Sequence, residues 1–404
     1  MSGAEPLPDN STGTPPLRIL VVHNLYRTEG GPSGENQVIS DEIGLLREAG
    51  VEVETYFRSS DEIASFGIGA RAEMAVRPIY SRADTKAVGA VLDSFRPDVV
   101  HVHNPYPLIS PAIIRTAKTR GVAVVQSVHN QRHVCAQGGF LRDGRSCQDC
   151  SGRRVAWPSI VHGCYRGSRP QSAVMAVAMS AHRPTWRMVD RFLPVSAYTA
   201  EHLIRTGIAR EKVVVKPNSV TDPGPVKPLG DGLLFAARLA PGKGVGFAID
   251  AWERSGLAAT TRLVIAGDGE DRGIVESAAT RVRGIEYVGL VDQQRIGELL
   301  DECAVAIIPS LWAEPFGRFA IEAFAHGRSV VATDVGGLAE LVDDETGRRV
   351  TPSVEAFADA MVAALSPGEA VRKGLAARIR FETRYTNDRV LDVLLQTYNS
   401  LRRA

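Results

Sequence analysis

The chain has 404 residues, long enough for two domains that each bury a full core. Apolar residues make up 44% and charged residues 23%, the balance of an ordinary globular protein and not of a disordered or fibrous one. The net charge of +1 argues against a dedicated nucleic-acid binder.

Residues 1–16 are polar and rich in Ser, Pro and Gly, so they read as a disordered tail and not as a signal peptide. No apolar stretch approaches membrane-spanning length; 172–181 is the longest. The expectation is a cytoplasmic protein, peripheral at most to the inner face of a membrane, whose cysteines start reduced. Residues 17–23 form a continuous apolar run, the mark of a strand buried on both faces. A helix follows, with Val38, Ile39, Glu42, Leu45 and Leu46 at helical spacing and Gly50 as its stop. Further buried strands are expected at 98–102, 122–126 and 191–195, with helices between them. This alternation predicts a parallel sheet covered on both sides.

Residues 130–169 break the rhythm: four cysteines, many glycines and no period mark a functional insertion. A linker containing Pro and Gly spans 219–230, and the alternation then restarts, with strands expected at 232–237, 262–266, 285–288, 305–308 and 329–332. Two Rossmann-like units therefore lie in tandem, 17–218 and 219–384, followed by a terminal helix in 385–404. Ligands of such sheets bind outside the carboxyl ends of strands, so the expected site is the cleft between the units. Residues 17–218 carry 26 Lys/Arg against 18 Asp/Glu, and 219–404 carry 21 against 26. A basic first half suits an anionic acceptor or a membrane surface, although a solvated face carries an excess of this size too.

The most specific motif is PSLWAEPFGRFAIEAFA, residues 309–325. A strand ends, a loop interrupted by Pro and Gly follows, and a helix begins near Gly317. Glu314 on the loop and Glu322 on the helix can accept hydrogen bonds from ligand hydroxyls. The segment RLAPGKG, 238–244, also joins a strand to a helix. Arg238 and Lys243 there can neutralise a diphosphate, with the helix amino terminus adding its dipole. No Asp-x-Asp metal motif lies near a strand end, so no catalytic divalent ion is expected. After the first strand comes GGPSGEN, 30–36, whose glycines, Gly31 and Gly34 among them, let backbone approach a phosphate or else form a mobile turn. His129 follows a strand at the cleft edge. The spacing of Cys135, Cys147, Cys150 and Cys164 reads as a four-thiolate structural zinc site, with His133 and His162 as substitute ligands and free thiols or disulfides as the alternatives. His101 and His103 invite a metal reading, but their Pro-flanked place reads better as a strand end. Cys303, before a buried strand, is expected in the core. The pair Gly67 and Gly69 follows no strand and lacks a third glycine, which disfavours a dinucleotide-dependent dehydrogenase.

Over nearly its whole length the chain resembles the family-4 retaining glycosyltransferases, whose hallmark is Glu-x7-Glu with a Gly-Phe or Pro-Phe-Gly after the first Glu. The resemblance implies the GT-B architecture: two Rossmann-like domains facing across a cleft, with C-terminal helices packing back toward the first. It implies transfer of a sugar from a nucleoside-diphosphate sugar to an acceptor hydroxyl on a cell-surface glycan, glycolipid or natural product. Glu314 would contact the donor sugar, Glu322 and Gly317 the nucleotide side, Arg238 and Lys243 the diphosphate, and His129 the reaction centre. Ser33-Gly34-Glu35 takes the place of the family's Gly-Gly-Glu, which makes Gly34 a stronger candidate than Gly31, and Gly336-Gly337 with Glu340 matches a loop that helps hold phosphate or nucleotide. A cysteine cluster occurs in a bacterial subgroup. A nucleotide-sugar epimerase or hydrolase of the same architecture is the rival reading, separated by product analysis with donor alone.

Overall fold

The computed structural model describes residues 15–27 and 33–402. Most of the expected tail, and Gly31, lie outside the described residues. In chain order the strands are β1 (Arg18–Leu25), β2 (Glu52–Ser59), β3 (Val99–Val102), β4 (Ala123–Val128), β5 (Leu141–Arg142), β6 (Arg145–Ser146) and β7 (Arg191–Pro194) in the first half. The second half holds β8 (Leu233–Ala236), β9 (Leu263–Ala266), β10 (Ile285–Gly289), β11 (Val305–Ile308), β12 (Ser329–Thr333) and β13 (Gly347–Val350). They build two wholly parallel sheets, in the orders β2-β1-β3-β4-β7 and β10-β9-β8-β11-β12-β13, plus the β5–β6 hairpin. Helices cover both faces, because strands such as β3, β8, β9 and β11 are buried at every position and present apolar side chains both ways.

Strand order fixes where a ligand can enter. The order reverses between β1 and β3 in the first sheet and between β8 and β11 in the second, and the crevice of an open sheet lies at such a point. The loops leaving β8 and β11 carry the segments 238–244 and 309–317 singled out above. The loop leaving β1 leads to the helix Gly34–Glu48.

The edge strands β2 and β13 were not expected from the sequence. Both are partly exposed along most of their length, so neither shows the continuous apolar run that betrays an interior strand. The insertion is more ordered than its composition suggests, holding the β5–β6 hairpin and a helix at Trp157–His162.

The halves are joined twice. The chain crosses near Asn218, returns near Tyr385, and the crossings touch through Val220 N and the Tyr385 carbonyl at 3.3 Å. The helix Asn387–Asn399 then packs Val390, Leu394 and Tyr398 into the first-half core with Leu17, Ile19 and Val21. Across the cleft, Ser196 Oγ donates to the Pro315 carbonyl at 2.6 Å. Glu340 accepts from the backbone N–H groups of Ala197 and Tyr198, filling the amino end of the helix Ala197–Ile204. Glu340 thus ties the halves together.

Leu394 is fully buried in this returning helix. Leu394→Ala is expected to cost about 2–5 kcal/mol through the cavity it leaves, measured by denaturant unfolding; a loss within about 0.5 kcal/mol, as at a surface site, would mean the helix is not part of the first core.

Candidate active site

A cleft of about 1200 Å³ runs between the halves, lined by Tyr26, Gly34 and Glu35 from one side and by Arg238, Lys243, Glu314, Gly317 and Glu322 from the other. Glu314 is its most constrained charge. The side chain is buried, Lys243 Nζ donates to Oε1 at 2.5 Å, and Ser310 Oγ donates to the same oxygen at 2.7 Å. Burial pushes the carboxyl up, but the Lys243 charge and these hydrogen bonds outweigh it and hold the group below the ordinary carboxylate value. Lys243 also sits 5.3 Å from the Trp312 ring centroid, in cation–π range. Arg238 is exposed and makes no ion pair among the described residues. One cation of the loop is thus spoken for by protein and the other faces the cleft.

Gly317 opens the helix Arg318–Ala325 at φ 105°, and a Cβ there would meet Leu338 at 2.4 Å, so the turn that aims Glu314 and Glu322 requires glycine. Glu322 accepts from Gln293 Nε2 at 3.1 Å and pairs with Arg318, which reaches Asp41 of the opposite half at 3.2 Å. Burial nevertheless raises the Glu322 carboxyl above its usual value, with Arg318 opposing. Gly336-Gly337 packs behind Glu314, with Gly337 N donating to its carbonyl at 2.6 Å, and does not line the cleft. At Gly34, the first residue of the helix Gly34–Glu48, a Cβ would meet nothing within 4 Å among the described residues. The space beside this helix start is open to a ligand.

His129 occupies a smaller adjoining cavity, which shares Glu35 with the main cleft. His103 Nδ1 and His129 Nε2 lie 3.0 Å apart in stacked rings, and burial first, then neighbouring charge, holds both imidazoles well below their usual range. His129 is therefore a neutral hydrogen-bonding group. Glu42, His101 and His103 bring three metal-type ligand atoms within 4.8 Å of one another. Their positions are already used: Lys216 Nζ binds Glu42 at 2.5 Å, and Tyr398 and Ser127 take the two nitrogens of His101 at 2.7 and 2.9 Å. A lysine stands in place of the cation.

Glu35, which the motif at 33–35 already marked, and Arg132, which no motif marked, line the same small cavity as His129. Glu35 receives a hydrogen bond from Tyr26 at 3.0 Å, and burial lifts its carboxyl to about 7. Arg132 has no carboxylate within ion-pair distance among the described residues, and its Nε is enclosed without a partner. Only the loop's place beside the cleft, invisible in sequence, singles out that arginine.

The four cysteines of the insertion line one small cavity, and all are free thiols here. Burial, reinforced by the neighbouring sulfurs, raises the Cys150 thiol to about 11. The set is more open than the Glu42 trio, since no three sulfurs lie mutually within 4.8 Å. His133 and His162 do not line this cavity; His133 packs on Trp186 at 4.7 Å instead. Cys303 is buried, in the core of the second half as expected. The insertion also touches the site: Trp312 lies so close to Gly139 that a Cβ there would fall 2.5 Å from the ring.

Residues 33–219 match the family described as glycosyl transferase 4-like domain, and 230–367 match glycosyl transferases group 1. The chain is 29% identical to a glycogen synthase of Mycobacterium tuberculosis over 327 residues, which is 77% of this chain and 70% of that one. Sucrose-phosphate synthase from Thermosynechococcus elongatus shares the fold with a TM-score of 0.68 at 17% identity, covering 95% of this chain and 99% of that one. Anabaena Alr3699/HepE, solved in complex with UDP and glucose, does so with a TM-score of 0.64 at 16% identity, covering 95% and 100%.

The Glu35 carboxyl, moved from 4.5 to about 7, gives a pH signature. Between those values the folded protein holds a proton that the unfolded chain releases, so stability declines as pH rises through this window. Glu35→Gln, neutral throughout, is expected to flatten that part of the profile of Tm against pH; an identical slope in both proteins would contradict the assignment.

Proposed function

Because this chain belongs to the group 1, family-4 retaining glycosyltransferases of GT-B architecture, we propose that the side chains at the switch point of its second sheet carry the sugar transfer. The donor is a nucleoside-diphosphate sugar and the acceptor a hydroxyl. In this reading the second half, 219–384, binds the nucleotide through Glu322 and Gly317, and the first half, 17–218, presents the acceptor beside His129. Membership of a transferase family favours transfer over the epimerase or hydrolase reading.

The single observation that supports these roles most is the arrangement of Arg238, Lys243 and Glu314 around one end of the cleft. The acceptor oxygen attacks the anomeric carbon on the face from which the diphosphate leaves. The bond to the diphosphate oxygen breaks with its electron pair, and the acceptor proton passes to that departing oxygen. Negative charge grows on the phosphate, where Arg238 and Lys243 stabilise it, and the open helix start at Gly34 offers further N–H groups. Glu314 positions Lys243 and accepts from a donor-sugar hydroxyl. The neutral His129 offers a hydrogen bond at the acceptor side, and Glu35, close to neutrality in its titration, sits between the two. The precedent of UDP and glucose in the Anabaena protein makes UDP-sugars the first donors to test.

A structural zinc held by Cys135, Cys147, Cys150 and Cys164 belongs to the same proposal. Four thiols around one cavity form a suitable donor set, and metal binding would supply the folding energy that the apolar-poor segment lacks. We also infer a cytoplasmic location, with any peripheral membrane contact made by the first half; among the described residues no helix is long and apolar enough to cross a membrane.

Glu314→Gln and Lys243→Ala are each expected to lower turnover about a hundredfold in folded protein, while wild-type turnover persists when free magnesium is chelated. Steady-state rates with a nucleotide-sugar donor measure this, and near-normal rates in either variant would remove that residue from the mechanism. Elemental analysis is expected to find about one zinc per chain, lost in Cys147→Ser; metal-free protein with four titrating thiols would exclude the zinc.

A further inference from the structure

Between residues 130 and 189 the sequence carries nine arginines against two aspartates. The fold does not scatter them. Arg132, Arg153, Arg154, Arg183, Arg187 and Arg205 line one cavity of about 210 Å³ with no Asp or Glu in its walls. Only Arg205 has a carboxylate partner among the described residues, Glu201 at 3.5 Å. The other guanidiniums are steered by neutral groups: Arg153 Nε donates to the Asp149 carbonyl at 2.6 Å and its guanidinium lies over the Trp157 ring at 4.9 Å, while Arg183 donates to the Arg153 carbonyl at 3.1 Å. These contacts set orientation and leave the charge uncompensated. Burial keeps the wall's two histidines, His133 and His202, below the usual imidazole range, so the charge of the cavity is arginine's and does not vary near neutral pH.

Like charges gathered round a concavity repel, and an anion in the middle turns that repulsion into attraction. Guanidinium forks match phosphate oxygens in pairs, which suits phosphate better than a diffuse negative surface. The cavity also has an address. Arg132, His133 and Trp186 line both it and the small cavity of His129, which in turn opens on Glu35 and the main cleft. We propose that this arginine cavity binds a phosphate or diphosphate group of the acceptor, so that the enzyme glycosylates a phosphorylated acceptor. The inference rests on the reading that the first half takes the acceptor. Val155, Trp157 and Val161 stand 41–51% exposed close by in the chain, an apolar surface that a lipid-linked phosphate would use and a water-soluble one would not.

The test starts from the nucleoside diphosphate that stabilises the protein most, added at saturation to fill the donor cleft. Inorganic pyrophosphate is then titrated by calorimetry into the wild type and into the triple variant Arg153→Ala/Arg154→Ala/Arg187→Ala. All three residues are exposed and none leaves a carboxylate unpaired. Pyrophosphate is expected to bind the wild type and to bind the variant at least about tenfold more weakly, with nucleotide affinity unchanged. The control Arg145→Ala/Arg169→Ala/Arg210→Ala, which removes equal charge outside the cavity, is expected to leave pyrophosphate binding intact. Equal binding by wild type and variant, equal weakening by the control, or no binding to the wild type would overturn the proposal. Loss of the nucleotide response would instead indict the donor-site reading. Flotation with phosphatidylglycerol and phosphatidylcholine vesicles separates the sources. Retention on the anionic vesicles alone, lost in the triple variant and competed by pyrophosphate, supports a lipid-borne phosphate; pyrophosphate binding without retention supports a water-soluble one.

Discussion

Glu314 is a buried carboxylate, and Lys243 and Ser310 hold it there. A buried carboxylate without partners would cost several kcal/mol or take up a proton. The pair therefore dictates how the loops leaving β8 and β11 meet: Lys243 must stand across from Glu314, which brings Arg238 to the cleft wall. It also leaves Lys243 poised. A donor diphosphate can compete for the ammonium, because its charge is greater and Arg238 is already free to share it. The ion pair is thus both a structural clamp and a reserve of positive charge.

The same end of the second half touches the first in several chemically different ways. Ser196 binds the Pro315 carbonyl, Glu340 fills the amino end of the helix Ala197–Ile204, and Trp312 packs on Gly139 of the insertion. The residues flanking Glu314 thus meet the first half directly. The cysteine-rich insertion abuts the loop that carries Glu314 although none of its cysteines lines the cleft.

Much of this was legible in the sequence, for definite reasons. Interior strands announce themselves because burial on both faces demands an unbroken apolar run, as in residues 17–23 and 305–308. The edge strands β2 and β13 face solvent in part and carry Glu, Arg and Thr, so the same criterion passed them by. Glu314, Glu322, Arg238 and Lys243 lie in local motifs at strand ends, where the surrounding pattern and its family resemblance mark a candidate site. Glu35 lay in a motif, but Arg132 joins it only through the meeting of segments almost a hundred residues apart, and the arginine cavity draws its walls from 132 to 208. Nothing local distinguishes an arginine that faces five others from one that faces water. Glu340 likewise has a partner no motif reveals, the backbone of Ala197 and Tyr198 in the other half of the chain.

The most direct test is a crystal structure with a nucleoside diphosphate bound, with UDP as the first choice. The account predicts that the diphosphate lies between Arg238 and Lys243, with Lys243 Nζ turned from Glu314 to the β-phosphate and the ribose beside Glu322. A nucleotide bound elsewhere, or one in the cleft whose phosphates make no contact with either cation, would contradict it.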